Sequence, residues 1–576
     1  MQGLNRRTPA RSQCYCRSPM IMAPRRLLPR LLTALMTAGL TCVASAQQDD
    51  RLPDLGSSAN ALISPQEAQD YGAAMLHQMR ALDLVVDDPL LDDYINDLGF
   101  RLVANSAKPK DHFAFFVVKD PEINAFAAPG GYIAVNSGLI TITRNESELA
   151  GVIAHEIGHI TQNHLQRAFE DSKKDAPLMA LVLLGAIVAG AGGHAGDAPM
   201  AVLAGGQSLI AQKSINFTRH DEIEADRVGI QTLSKAGFDP NAMATFFEHL
   251  EDETSADAGG IQTPSLLQSH PVTSERISDA KSRAGALVAA QKLRPSVSSM
   301  DKSQWDKITA PMPFVKDPSV LIAVPATPDQ LDTYSLMRER TRVLADDAPK
   351  QVLYYASNLK DQYGFDTPAT RYGYALALTR SGRGAQAIEQ LQPLLKAHDG
   401  NLILKLAMAD ARLQAGQRAA ALAIYGELTA QSPRNRAVAL AYADALVAKG
   451  DKAQAIQAAN LLRPLLDNAD EPEIYNAYAR ASEKAGDSVR AGEAFADASY
   501  YSGRPFDAME QLKRMLKRTD LDYYARVRIQ ARITQLTPLV MELHKRRIST
   551  DDNPDGQQQP GQQNQLCTGR LCFGAG

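Results

Sequence analysis

The chain has 576 residues, of which 45% are hydrophobic and 22% charged. That balance fits several packed domains and excludes wholesale disorder, a collagen-like repeat and a polytopic membrane protein. Its net charge of −4 is uneven: the first 46 residues hold seven arginines and no acid, leaving 54 basic against 65 acidic residues, or −11, in the rest. A phosphate backbone needs the opposite sign over its footprint, so nucleic acid is a poor fit as partner. Aromatic residues make up only 6%, with Trp305 as the one tryptophan, which also argues against a stacking surface.

Arg25, Arg26 and Arg30 precede a 13-residue apolar stretch, Leu31–Val43, that ends in Ala44-Ser45-Ala46. This is the pattern of a secretory signal peptide cleaved before Gln47, because the stretch falls short of the roughly 20 residues a spanning helix needs. Residues 1–46 are therefore expected to be an N-terminal extension and signal peptide, with Met20 or Met22 as an alternative start and an uncleaved anchor as the alternative reading. Removing them takes away Cys14, Cys16 and Cys42 and leaves Cys567 and Cys572. An exported chain with one cysteine pair most simply forms one disulfide, the alternative being two free thiols in a tail.

Residues 47–292 mix strand and helix patterns and predict an α+β domain. Phe126–Leu139, reading FAAPGGYIAVNSGL, predicts an edge strand after a Gly-Gly turn, able to pair with an extended peptide. Asn145, with Glu148 three residues on, marks a helix start. That helix carries His155-Glu156-Ile157-Gly158-His159. Residues i and i+4 share a helical face, so the two imidazoles can hold one zinc ion while Glu156 reaches a water activated there. A third histidine six residues after His159 is absent, since position 165 is leucine. His164 lies about 500° further round a continuing helix and is expected to face elsewhere. The alternative third ligand is a glutamate on a later helix, and Glu222-Ile223-Glu224-Ala225-Asp226 is the best candidate segment.

Leu178–Gly193, LMALVLLGAIVAGAGG, is too short to span a bilayer and predicts a buried helix or a lid over the site, which leaves peripheral membrane contact open. Residues 293–345 hold six prolines and no sustained period, and predict a connector. From 346 to 548 the text repeats: Gly382, Gly416, Gly450 and Gly486 are 34, 34 and 36 residues apart, each followed five positions later by Ala387, Ala421, Ala455 or Ala491. A glycine that permits the turn and an alanine where two helices approach closely predict helical hairpins stacked as a tetratricopeptide-repeat solenoid. Residues 549–576, with NPDGQQQPGQQNQ, predict a disordered tail.

The HEIGH motif, the later Glu-x-x-Ala-Asp, and the preceding Asn124-Ala125-Phe126 and Pro129-Gly130-Gly131 resemble the peptidase family of the CAAX prenyl proteases and HtpX. The leader and the repeats narrow the likeness to its periplasmic, repeat-bearing branch, over residues 50–545. The resemblance implies an α+β zincin-type metalloprotease domain followed by an all-α repeat solenoid. It makes His155, His159 and Glu222 the ligands of one Zn²⁺ per chain and Glu156 the general base. Asp226, four residues after Glu222, then shares its helix face and can accept a hydrogen bond from a ligating imidazole, whereas Glu224 points away as an exposed helix charge. His270 and Arg276, in SHPVTSERI, match a histidine and an arginine placed near the metal. His270 then serves as a fourth ligand of a latent state or as an oxyanion stabiliser, with Arg276 adding positive charge. The implied function is a periplasmic zinc endopeptidase that degrades misassembled outer-membrane β-barrel proteins and assists their assembly, in contact with the assembly machinery. The alternative is an assembly chaperone or scaffold in which the repeats carry the activity and the metal site is latent or structural.

Overall fold

The structure, a computed structural model, describes residues 64–171, 217–256, 264–293, 331–545, 565–568 and 571–574. The expected signal peptide, the apolar stretch Leu178–Gly193 and most of the expected connector lie outside these residues. Among the described residues no helix is long and apolar enough to cross a membrane.

Two amphipathic helices open the fold, α1 (Pro65–Ala81) and α2 (Pro89–Val103), each started by a proline and a side-chain cap, Ser64 and Asp88. They flank a three-stranded sheet of order β1-β3-β2, formed by β1 (Ala114–Val118), β2 (Ala125–Ala128) and β3 (Tyr132–Asn136). β1 runs parallel to β3, Ala114 opposite Tyr132, and β2 runs antiparallel to β3, Ala125 opposite Val135. The expected single edge strand over Phe126–Leu139 is thus two strands and the start of helix α3 (Ser137–Ile142). Gly130 and Gly131 both have positive φ (78° and 86°) and reverse the chain between the strands. Every residue of β3 is buried, as a central strand requires, so of these two strands only β2 lies at an edge, the other edge of the sheet being β1.

Helix α4 (Glu146–Thr161) starts where the sequence predicts, with the Asn145 side chain accepting from the Glu148 N–H at 3.1 Å. The reciprocal half of the expected box is shifted by one residue: Glu148 Oε2 accepts from the Arg144 N–H. From Glu148 to His159 every residue of α4 is buried, so the motif runs through the centre of the domain. The helix packs against α6 (Arg219–Lys235) and α7 (Ala242–Ala256), and α9 (Ser274–Leu293) packs on both of these, while α5 (His164–Asp171) follows α4 and α8 (Ser265–Ser269) precedes α9.

The C-terminal region is entirely helical from Thr333 to Lys545, apart from its turns. The 34-residue period reappears as helices starting at Pro368, Leu402, Arg436 and Pro472, each followed by a second helix starting at Gly384, Arg418, Lys452 or Ser488. Ala387, Ala421, Ala455 and Ala491 are all buried, as close helix approach demands. Gly382, Gly416 and Gly486 have positive φ, but Gly450 does not (φ −85°). Its glycine is needed for room, since a Cβ there would lie 1.9 Å from the Leu446 carbonyl oxygen. Two expectations are corrected. The connector to residue 345 contains a helix, α10 (Thr333–Leu344), and the tail contains a hairpin, β4 (Gln565–Thr568) against β5 (Leu571–Gly574). Only short alternating runs between prolines and glutamines carry those strands, too little pattern to see in advance. Their register sets Cys567 opposite Cys572.

Helix α10 is buried because it joins the two regions: the Tyr334 hydroxyl donates to the Thr143 carbonyl at 2.5 Å. The Arg340 guanidinium donates 2.6 Å bonds to both oxygens of Asp88, and a third of 3.0 Å to the Tyr372 hydroxyl. Further along, Arg436 binds Asp93 on α2, Arg80 on α1 donates to the Asp470 carbonyl at 2.8 Å, and Gly503 packs so closely on α1 that a Cβ would lie 2.1 Å from the His77 carbonyl oxygen.

Removing one member of a buried ion pair leaves the other unpaired and costs about 3–5 kcal/mol. We therefore expect Arg340→Met to lose about 3 kcal/mol or more in urea unfolding. The double variant Asp88→Asn/Arg340→Met, which keeps the α2 cap, should recover most of that loss. A single variant within about 1 kcal/mol of wild type would remove this pair from the list of contacts that join the regions.

Candidate metal centre

His155 and His159 stand one turn apart on α4. The next helix to reach them is α6, opened by a capping box in which Thr218 Oγ1 accepts from the Asp221 N–H at 3.2 Å and Asp221 Oδ2 from the Thr218 N–H at 3.0 Å. That start places Glu222 in the first turn and Asp226 one turn on. α4 and α6 cross with no side chain between them at two points. A Cβ on Gly158 would lie 3.0 Å from the Ala225 carbonyl oxygen, and one on Gly229 3.1 Å from the His155 nitrogen. This approach brings the Glu222 carboxylate to the imidazoles.

Nε2 of His155 and Nε2 of His159 are 3.0 Å apart, and each lies 3.5 Å from a Glu222 oxygen. His270, which ends α8, brings Nδ1 to 2.8 Å from Glu222 Oε1 and 3.4 Å from His155 Nε2. These four donors lie within 4.8 Å of one another and all four residues are buried. A tetrahedron with bonds of about 2.0–2.1 Å has edges of roughly 3.3 Å, so the set has the size of a tetrahedral divalent-metal site. Its charge agrees. Burial disfavours a cation on His155, yet the carboxylates of Asp226 and Glu222 pull its pKa up to about 10. The pocket demands positive charge, which a metal supplies without a proton. Burial pushes His159 well below its ordinary value, so it presents a neutral lone pair. Burial would raise Glu222, but His270 and His155 hold it far below the usual carboxylate range.

Each ligand is held from behind. His155 Nδ1 is 2.9 Å from Asp226 Oδ1, as the spacing predicts. Asp226 in turn accepts from Arg276 Nε and Nη2 at 2.7 and 2.8 Å, while Arg276 Nη1 lies 2.8 Å from Glu222 Oε2 and donates to the Pro271 carbonyl. Arg276 is buried and its donors are spent on these groups. Its geometry therefore supports holding the two carboxylates in place rather than the expected positive charge offered to a substrate oxygen.

Glu156 lies beside the cage. Burial raises its pKa against the pull of His270, His155 and the nearby Ala127 N–H on edge strand β2, and His270 Nε2 stands 3.7 Å from Oε1. Oε1 is buried without a hydrogen bond. Phe217, just before α6, covers the imidazoles with ring centroids 4.1 Å from His159 and 5.5 Å from His270.

Two features escaped the sequence. Phe217 gave no pattern to read. His164 was expected to face elsewhere on a continuing helix, but α4 ends at Thr161 and Asn163 takes a left-handed φ of 57°. The chain turns back, and His164 Nδ1 comes to 3.0 Å from His159 Nδ1. The signal was Asn163, a residue type that tolerates this conformation. Glu224 does point away from the cage, yet it is bound to His164 and Arg167 rather than free in solvent.

Residues 89–284 match the model of Peptidase family M48. The chain is 34% identical over 519 residues to the beta-barrel assembly-enhancing protease of Escherichia coli (strain K12), covering 89% of this chain and 97% of the relative. The chain belongs to peptidase family M48. The protein of the same name from Yersinia pestis is 33% identical over 88% of this chain and 96% of its own length. The mitochondrial metalloendopeptidase OMA1 of Schizosaccharomyces pombe is 29% identical over 32% of this chain and half of its own length. A member of family M48 with this buried donor set is a metallopeptidase, followed here by a largely helical region.

Proposed function

We propose that the chain is a zinc-dependent endopeptidase of the periplasm that degrades misassembled outer-membrane β-barrel proteins and aids their assembly. The observation that carries this reading is the buried quartet of His155, His159, Glu222 and His270 with an unpartnered oxygen of Glu156 beside it. The name shared by the relatives supports β-barrel assembly as the setting, and the arginine-led apolar stretch ending in Ala44-Ser45-Ala46 supports export. The regular helix starts support a tetratricopeptide-type solenoid, whose extended face suits peptide segments and the assembly machinery. The α4–α6 pairing with two histidines and a glutamate supports a zincin-type domain.

His155, His159 and Glu222 would hold zinc, which when bound would supply Lewis acidity and lower the pKa of water. Glu156, with a buried and unpartnered oxygen beside the cage, is the proton acceptor. The outer edge of β2, whose Ala127 N–H lies near Glu156, is where an extended substrate pairs, which puts the scissile bond beside the base. Asp226 and Arg276 fix His155 and Glu222. His270 Nδ1, 2.8 Å from Glu222 Oε1, would take the fourth ligand position, which a catalytic site keeps open. That supports a latent resting state, and it also favours the second reading, a scaffold whose helical region works while the metal site is closed.

Glu156→Gln should lower cleavage of an unfolded protein such as casein by about 10²-fold or more while retaining zinc. Undiminished cleavage by this variant would count against the enzyme reading. Full complementation by it in cells would favour the scaffold. His270→Ala should raise basal proteolysis; a folded, zinc-loaded variant of unchanged or lower activity would remove the latency.

A further inference from the structure

His164 is fully buried, lies outside the four-donor cage, and has a defined partner at each ring nitrogen. Nδ1 faces His159 Nδ1 at 3.0 Å, and Nε2 lies 3.2 Å from Glu224 Oε2 and 3.8 Å from Asp221 Oδ1. Arg167 Nη2 closes the chain at 2.9 Å from Glu224 and 3.2 Å from Asp221. The hydrogens can be assigned by counting. His159 presents Nε2 to the cage, so its ring proton sits on Nδ1, and among the described residues the acceptor at hydrogen-bond distance there is the Nδ1 lone pair of His164. His164 then carries its proton on Nε2 and donates it to Glu224.

The two histidines of α4 are thus supported by parallel devices. Behind His155 stands a carboxylate locked by an arginine, Asp226 with Arg276. Behind His159 stands the same pair, Glu224 with Arg167, reached through one intervening imidazole. The gap exists because α6 carries its second acidic residue on a different face, two residues from Glu222, and the turn at Asn163 supplies the ring that bridges it. His164, Asp221 and Glu224 also have the spacing of a metal site, but the Arg167 guanidinium already sits between the two carboxylates, and like charge excludes a second cation.

We propose that His164 is a positioning residue for the metal site: it accepts the Nδ1 proton of His159, fixes that ligand's tautomer and ring orientation, and passes the load to Glu224 and Arg167. This rests on His159 being a metal ligand. Partners of this kind contribute about 10–100-fold to metal affinity.

The test is zinc affinity of the full chain by competition with a chromophoric chelator, alongside metal-free melting curves and the visible absorption of the cobalt-loaded protein. His164→Leu should bind zinc about 10–100-fold more weakly at a similar metal-free melting temperature. His164→Asn, whose amide oxygen can accept the same proton, should recover affinity to within about threefold of wild type, with the cobalt spectrum restored. Glu224→Gln, which leaves the ring in place, should weaken binding by a smaller factor and serves if the leucine variant does not fold. Zinc affinity unchanged in His164→Leu, or in Glu224→Gln where the leucine variant does not fold, overturns the proposal. So does an asparagine variant as impaired as the leucine one. A wild-type chain that binds no zinc overturns the metal reading itself, which separates that failure from this one.

Discussion

The architecture depends on one close crossing. Helices α4 and α6 meet where Gly158 faces Ala225 and Gly229 faces the backbone at His155, and a Cβ on either glycine would sit tighter than ordinary side-chain contact. Because no side chain separates the helices there, a carboxylate at the start of α6 reaches two imidazoles at the end of α4. A larger residue at either position would have to be met by a shift of a few tenths of an ångström in the packing that sets the donor distances. The same crossing buries acids at high cost, and the local charges answer it. Arg276 bridges Glu222 and Asp226, the imidazoles share the remainder, and the pull on His155 expresses what is left for a metal to neutralise.

Around this crossing the sheet and the helical region act as supports. β3 is buried along its whole length and anchors β2, which passes beside Glu156. Helix α10 and the later helices grip α1 and α2 through Tyr334, Arg340, Arg436 and the turn at Gly503. The helical region therefore rests directly on the two helices that open the peptidase domain.

Much of the site was legible because a helix converts sequence spacing into a shared face. His155 with His159, and Glu222 with Asp226, each follow from a four-residue step, and the 34-residue period gave the hairpins. What was not legible lay where the regular step ends. The left-handed Asn163 breaks the rotation that would have sent His164 away. The paired glycines at 130 and 131 split one expected strand into two and moved the edge to β2. Arg276 has its donors spent on two carboxylates from another helix, a contact that no local spacing encodes. Helix α10 was hidden in a proline-rich stretch because it is short and its partners, Thr143, Asp88 and Tyr372 among them, are distant in sequence.

The central claim, that three side chains of this crossing hold one divalent ion, is tested most directly by X-ray absorption at the zinc edge on the full chain loaded with one equivalent of zinc. The expected result is a first shell of imidazole nitrogens and a carboxylate oxygen at about 2.0–2.1 Å, with the oxygen lost in Glu222→Ala. A chain that takes up no stoichiometric zinc, or a shell unchanged when Glu222 is removed, would contradict it.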